Sequence, residues 1–307
     1  MMRVSNIPNV FHFVFGLREQ NEPFHLMYYL CLASCMEVNQ PDEVHFHYHH
    51  EPYGEWWDRI KPRLRLRRID PDEFVSRYQY DDPTIAAFRY AHLADFARLR
   101  ILLEEGGIYA DIDTLFLRKL PEEWLRSSSF ILGEEKAPAG AEDGRSLCNA
   151  WIASAPGAEF CHLWLKGMEA AFDGSWSNHS TLLPYRLSKQ HPDLLTIQPP
   201  SAFYALDWTP RGIDDLLLRS VALPEQAYSL HLWNHLWFAE DRVDFSIFHS
   251  GLLTADYVRF AQTTYAVHAR PHLPNDIETS PGAYRRQGTV SLLRHPLRHL
   301  RQWLRIR

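Results

Sequence analysis

Apolar and polar positions follow two rhythms along this chain, and their order predicts its elements. Ile7 to Gly16 reads as a strand ending at a glycine turn. Pro23 to Asn39 reads as a helix, with Leu26, Leu30 and Ala33 on one side. Glu43 to His49 alternates with a period of two, Arg63 to Ile69 reads as a further strand, and Asp70 to Pro83 is loop-like. A helix over Thr84 to Glu105 follows. Beyond it come a strand through Leu117, a short helix at Glu122 to Arg126, and strands at Ser129 to Gly133 and Leu147 to Ser154. Lys136 to Arg145 between these strands has the composition of a flexible loop, a candidate lid. A helix at Ala158 to Phe172 and late strands at Leu195 to Gln198 and Ala202 to Tyr204 close the pattern. Strands alternating with helices predict an α/β domain with a mostly parallel, Rossmann-like sheet flanked by helices.

The stretch from Ala91 to Phe116 carries the strongest chemical signal. Phe88, Ala91, Leu99, Leu102 and Leu103 fall at helical steps, and Gly106-Gly107 supplies the left-handed residue that ends a helix. Ile108, Ala110 and Ile112 then alternate with Tyr109, Asp111 and Asp113. Asp111 and Asp113 are thus expected on the same face of one strand, about 6.6 Å apart along it. Carboxylates so placed repel unless a cation or donor groups lie between them. A divalent cation bound to a phosphate accounts for the pair economically. On the preceding helix Asp95 and Arg98 sit three residues apart, on one face with Ala91, Ala94 and Leu102.

Composition narrows the alternatives. The 307 residues suffice for one large α/β domain or two small ones, and 46% hydrophobic with 23% charged residues is ordinary globular composition. A formal net charge of −6 argues against nucleic acid as a partner. Cys31, Cys35, Cys148 and Cys161 form no disulfide framework, which favours a reducing compartment. No apolar run is long enough for a transmembrane helix, and the N-terminal stretch lacks a signal-peptide pattern, so the expected location is cytoplasmic. His45, His47 and His49 share one strand face, but no carboxylate or cysteine in the sequence completes a ligand set beside them. The composition shifts after residue 270, which divides the chain into a domain 1–270 and an extension 271–307. The basic, leucine-rich segment 288–307 reads as an amphipathic helix, suited either to the inner membrane face or to docking on the domain 1–270.

Asp95, Arg98, Gly106, Gly107, Tyr109, Asp111 and Asp113, in that order, resemble the core of the DXD-containing sugar-transferase family of retaining glycosyltransferases. The opening Ile7-Pro8 with His12-Phe13, and the late segment His231, Trp233, Asn234 and Trp237, extend the resemblance. It implies a GT-A fold, a nucleotide-sugar donor with UDP-hexose favoured, a saccharide or lipid-linked acceptor, a Mn²⁺ or Mg²⁺ ion, and a place in surface polysaccharide or capsule biosynthesis. It places Asp95, Arg98, Asp111 and Asp113 in catalysis. Donor binding falls to Phe13, Val14, Phe15, Asp95, Arg98, Tyr109, Asp111, Asn149 and Trp237. The metal falls to Asp113, His231 and Asn234. The sequence departs from the family at Ser180-Thr181-Leu182-Leu183-Pro184, where a glycine before the proline is usual. The rival from another class is a catalytically inactive nucleotide-sugar or glycan-binding protein.

Overall fold

The computed structural model describes residues 7–70, 89–138, 141–235 and 253–294. The strands are β1 (Val10–Phe15), β2 (Glu43–Tyr48), β3 (Arg65–Arg68), β4 (Gly107–Ala110), β5 (Thr114–Phe116), β6 (Phe130–Lys136), β7 (Arg145–Ser154), β8 (Thr196–Gln198) and β9 (Ser229–His231). The helices that build the core are α1 (Leu26–Asn39), α2 (Glu55–Ile60), α3 (Arg89–Glu105), α4 (Glu122–Ser127), α5 (Glu159–Ala171) and α6 (Leu183–Gln190). They are followed by α7 (Pro200–Phe203), α8 (Pro210–Leu217), α9 (Ala255–Phe260), α10 (Thr264–Ala269) and α11 (Pro281–Arg294). Seven strands form one sheet in the order β3-β2-β1-β4-β7-β6-β8. The pairs β3/β2, β2/β1, β1/β4 and β6/β8 are parallel, while β7 runs antiparallel to β4 and β6. The mostly parallel sheet expected from the sequence is therefore present. The pair β5/β9 forms a separate two-stranded ribbon.

Alternation along the strands explains the two cores. Phe11, Phe13, Val44 and Phe46 point to one face, where α1 buries Met27, Leu30, Cys31 and Leu32 against them. Val14 and Tyr109 point to the other face, under Leu99 and Leu102 of α3 and Phe160 and Trp164 of α5. Each fully buried aliphatic or aromatic side chain contributes about 1.5–3 kcal/mol. That burial holds α3 across the sheet and fixes the side chains at its polar edge.

The turn after α3 depends on glycine. Gly106 has φ +68 and its N–H donates to the Leu102 carbonyl at 2.9 Å. Gly107 has φ +100, and a Cβ there would lie 2.5 Å from the Val10 carbonyl oxygen. No other residue fits that approach. His12, fully buried on β1, donates through Nε2–H to the Gly106 carbonyl at 2.9 Å.

The structure corrects three expectations. Asp111 and Asp113 do not lie on a continuous strand. The chain leaves β4 at Ala110 and turns, with Thr114 N–H donating to the Asp111 carbonyl at 3.0 Å, before β5 pairs with β9. The period of two persists through the turn, so sequence pattern alone does not reveal it. Ala202 to Tyr204 is not a strand. Pro200–Phe203 form one helical turn with proline at its start, and Tyr204 makes an isolated bridge to Leu230. The loop expected over 136–145 is shorter, because β6 reaches Lys136 and β7 begins at Arg145.

Beyond residue 270 the chain continues against the main body. Leu273 is buried in the α1 core, Tyr284 packs against the same core, and Thr254 Oγ1–H donates to Gln287 Oε1 at 2.9 Å. Residues 295–307 of the basic segment lie outside the described residues. Among the described residues no helix is long and apolar enough to cross a membrane.

Candidate active site

The edge of α3 and the turn beyond β4 bring charged side chains together. Arg98 is 5% exposed and lies at the centre. Its Nη2 stands 3.1 Å from Asp95 Oδ1 and its Nη1 stands 3.2 Å from Asp111 Oδ1. Nη1–H also donates to the Asn149 carbonyl at 2.6 Å, and the guanidinium carbon lies 4.6 Å from the centre of the Tyr109 ring. Burial opposes the charge, but Asp111, Tyr109 and Asp95 outweigh it and raise the Arg98 pKa. The planar fork suits this position because it serves two carboxylates and a carbonyl at once.

Asp95 accepts from Asn149 Nδ2–H at 2.7 Å and from His179 Nε2–H at 3.0 Å. Burial pushes its pKa up, and Arg98 and His179 more than offset this, so it is lowered overall. His179 is completely buried in the π-helical turn Asn178–Leu182, directly before α6. The sequence reading stops one residue short of it, at Ser180. The departure from the family motif was the available signal, since π-turns inside helices cluster at functional sites.

The second half of the site forms where β5 pairs with β9. The register Thr114↔His231 brings the late segment beside the DXD turn. His231 Nε2 stands 3.2 Å from Asp113 Oδ1 and 3.8 Å from Asp111 Oδ2. Asn234 N–H donates to Asp113 Oδ2 at 2.8 Å. Burial raises the Asp113 pKa, and His231 with the Asn234 N–H brings it below the ordinary value. Burial and the Asp113 charge raise Asp111 despite Arg98 and His231. Asp111 is also the most open member, its side chain 26% exposed against 3% for Asp113. Burial lowers the His231 pKa, and Asp113 and Asp111 raise it above the ordinary histidine value.

Asp111, Asp113 and His231 each offer a ligand atom within 4.8 Å of the other two. Two carboxylates and one imidazole suit Mn²⁺, and Mg²⁺ less well because of the nitrogen. The incomplete neutralisation of Asp111 fits a cation between the two aspartates.

The other expected site residues have definite places. Tyr109 is buried, and its hydroxyl donates to Asp111 Oδ1 at 2.6 Å, so it orients the carboxylate. Asn149 joins Asp95 and Arg98, its Nδ2–H donating to Asp95 and its carbonyl accepting from Arg98. The Asn234 side chain turns to the Tyr28 hydroxyl, with Nδ2–H donating at 2.8 Å, and only its backbone reaches Asp113. Phe13 and Val14 are core residues on opposite faces of the sheet, and Phe15 packs on Phe24, Tyr28 and Phe46 at the end of β1. Trp237 lies outside the described residues. Trp233 adopts φ +55, a strained conformation for a bulky residue, and its ring centre is 4.1 Å from that of His231.

Glu135 of β6 is a further buried carboxyl on this side. It is 8% exposed, with Ser146 Oγ 3.5 Å away. Burial pushes its pKa up from 4.5 to about 7, against Cys148, His231 and Ser146. A carboxyl protonated in the native state costs stability as pH rises from the unfolded value through the native one. Glu135→Gln is therefore expected to be more stable than the parent at pH 8, by up to ~3 kcal/mol, and equal to it below about pH 4.5. Thermal melts at the two pH values check this, and an equal difference at both would refute it.

Comparison with known proteins agrees with this arrangement. Residues 22–131 match the family described as glycosyltransferase sugar-binding region containing DXD motif. Those residues are therefore similar to that family's sugar-binding region, and they contain the DXD turn beyond β4. It is 33% identical over 210 residues to glucan organizing enzyme 1 of Cryptococcus neoformans var. grubii, covering 66% of this chain and 55% of that protein. It is 25% identical over 198 residues to lactosylceramide 4-alpha-galactosyltransferase of Rattus norvegicus, covering 56% of this chain and 51% of that protein. The chain thus spans about half the length of the curated relatives it matches. Among solved structures, the galactosyltransferase LgtC with donor and acceptor sugar analogues is similar at 13% identity and a TM-score of 0.48, covering 91% of this chain and 99% of that one.

Proposed function

We propose that this chain is a metal-dependent retaining glycosyltransferase. It moves a hexose from a nucleotide sugar, UDP-hexose in preference to GDP-mannose, to a saccharide or lipid-linked acceptor in surface polysaccharide biosynthesis. The observation that carries this reading is the meeting of Asp95, Arg98, Asp111, Asp113 and His231 in one buried charged network. The basic segment 288–307 suits an acceptor held at a membrane surface.

In this reading Asp113 and His231, with Asp111, hold Mn²⁺ or Mg²⁺, which when bound stabilises the negative charge of the departing diphosphate. Asp95 and Arg98 bind the sugar ring. Arg98 keeps its full charge in this reading and adds positive potential on the donor side. Tyr109 and His179 hold Asp111 and Asp95 in position. Attack on the face from which the diphosphate leaves, as the family's retention of configuration implies, needs no protein nucleophile.

The test is release of nucleoside diphosphate from UDP-glucose, UDP-galactose or GDP-mannose without acceptor. Release that needs Mn²⁺ or Mg²⁺ and stops with chelator is expected. Thermal stabilisation by a nucleotide sugar without any release, with or without acceptor saccharides, would instead support the binding-protein alternative.

A further inference from the structure

A second cluster of ligating side chains lies on the same face of the sheet, at the far end of α3 from the charged site. The parallel register His12↔His45 and Val14↔His47 places His12, His45 and His47 side by side. All three are at most 4% exposed, and each offers a nitrogen within 4.8 Å of the other two. The triplet legible in the sequence was 45, 47 and 49. The fold exchanges His49, whose Nδ1–H donates to the Ile69 carbonyl, for His12 of the neighbouring strand.

We propose that His12, His45 and His47 form a structural metal site of the three-histidine kind, taking a borderline transition-metal ion such as Zn²⁺. The ring orientations support it. His12 donates Nε2–H to the Gly106 carbonyl, which fixes its tautomer and leaves the Nδ1 lone pair directed at His47 Nε2, 3.1 Å away. Two nitrogens on one tetrahedral Zn²⁺ stand about 3.3–3.4 Å apart, given bonds of about 2.0–2.1 Å. This pair therefore needs a shift of only a few tenths of an ångström to share an ion, with a His45 nitrogen within 4.8 Å of both.

His45 has Glu43 Oε2 at 2.5 Å from Nε2 and Glu105 Oε2 at 3.2 Å from Nδ1. With the ion on Nδ1, which makes no hydrogen bond, Nε2 keeps Glu43, the usual outer support of a metal-bound histidine. Glu105, 3.2 Å from Nδ1, is then placed to supply a fourth ligand. Arg67, register partner of His47, and Arg65, which donates to Glu43 Oε1 at 2.7 Å, bring two positive charges nearby, against the negative charges of Glu43 and Glu105. Of the three buried rings, His45 keeps one nitrogen, Nδ1, without a hydrogen bond, and an ion would supply its partner. The site would clip β1 and β2 to the Glu105-Gly106 end of α3, whose Arg98 face builds the charged site.

The test uses the full chain carrying Asp113→Asn, stripped with chelator and kept in excess Mg²⁺ to occupy oxygen-rich sites, then titrated with Co²⁺. One equivalent with the intense visible absorption of a tetrahedral, nitrogen-rich site is expected. Zn²⁺ should displace it and raise the melting temperature. His47→Gln, which keeps a hydrogen-bonding group but ligates poorly, should weaken binding ~100-fold or more. Zinc-edge absorption on the parent chain gives an independent reading, with three nitrogens at about 2.0–2.1 Å. A spectrum without the tetrahedral band, or unchanged binding by His47→Gln, would mean the three histidines form only a hydrogen-bonded cluster.

Discussion

Asp113→Asn is expected to lower metal-dependent turnover of the nucleotide sugar by about 10²-fold or more, the effect of losing one preorganised electrostatic stabiliser. Asp113 is 2% exposed, and its two oxygens are already committed in direction, one toward His231 and one toward the Asn234 N–H. Asparagine keeps the size and one acceptor, so the fold and the β5/β9 ribbon should survive. It removes the negative charge and turns one oxygen into a donor facing His231. The loss should therefore appear in turnover and in the metal concentration required, alongside a fall in melting temperature from His231 losing its buried counter-charge. Steady-state assays across a Mn²⁺ titration read both. A variant with the parent's turnover at the parent's metal requirement would remove Asp113 from the proposed ion site.

Arg98→Ala is expected to cost about 3–5 kcal/mol of folding stability in addition to activity. The size follows from what remains rather than from what is lost. Asp95 is 8% exposed, and it and Asp111 would stay in place with their shared cation gone. Asp95 keeps His179 and Asn149, but the Asn149 carbonyl also loses its donor. Arg98→Lys should fall between, since an ammonium restores charge but cannot reach two carboxylates and a carbonyl in one plane. Denaturant unfolding orders the three proteins. A loss below about 1 kcal/mol for Arg98→Ala would be the value of an exposed ion pair and would contradict the buried network.

Asp95 and Arg98 were legible because a helix places residues three apart on one face, whatever surrounds it. The glycine pair was legible because positive φ is a local property. The Asp-x-Asp spacing was also plain, although its geometry was not. A period of two in the sequence looks the same whether the chain continues as a strand or folds into a hydrogen-bonded turn, as it does between β4 and β5. His179 escaped because its significance lies in a contact with Asp95, 84 positions earlier.

The sequence by itself determined the alternation of elements, the helix stop at Gly106-Gly107 and the identity of the charged residues, because these depend on neighbours within a few positions. Only the tertiary structure decided which of those residues meet. His231 reaches Asp113 across 118 positions through one register of the β5/β9 ribbon. His12 reaches His47 across 35 through strand pairing. Long-range pairing is set by burial of the apolar faces between, and a linear pattern records which faces are apolar but not which of them close on each other.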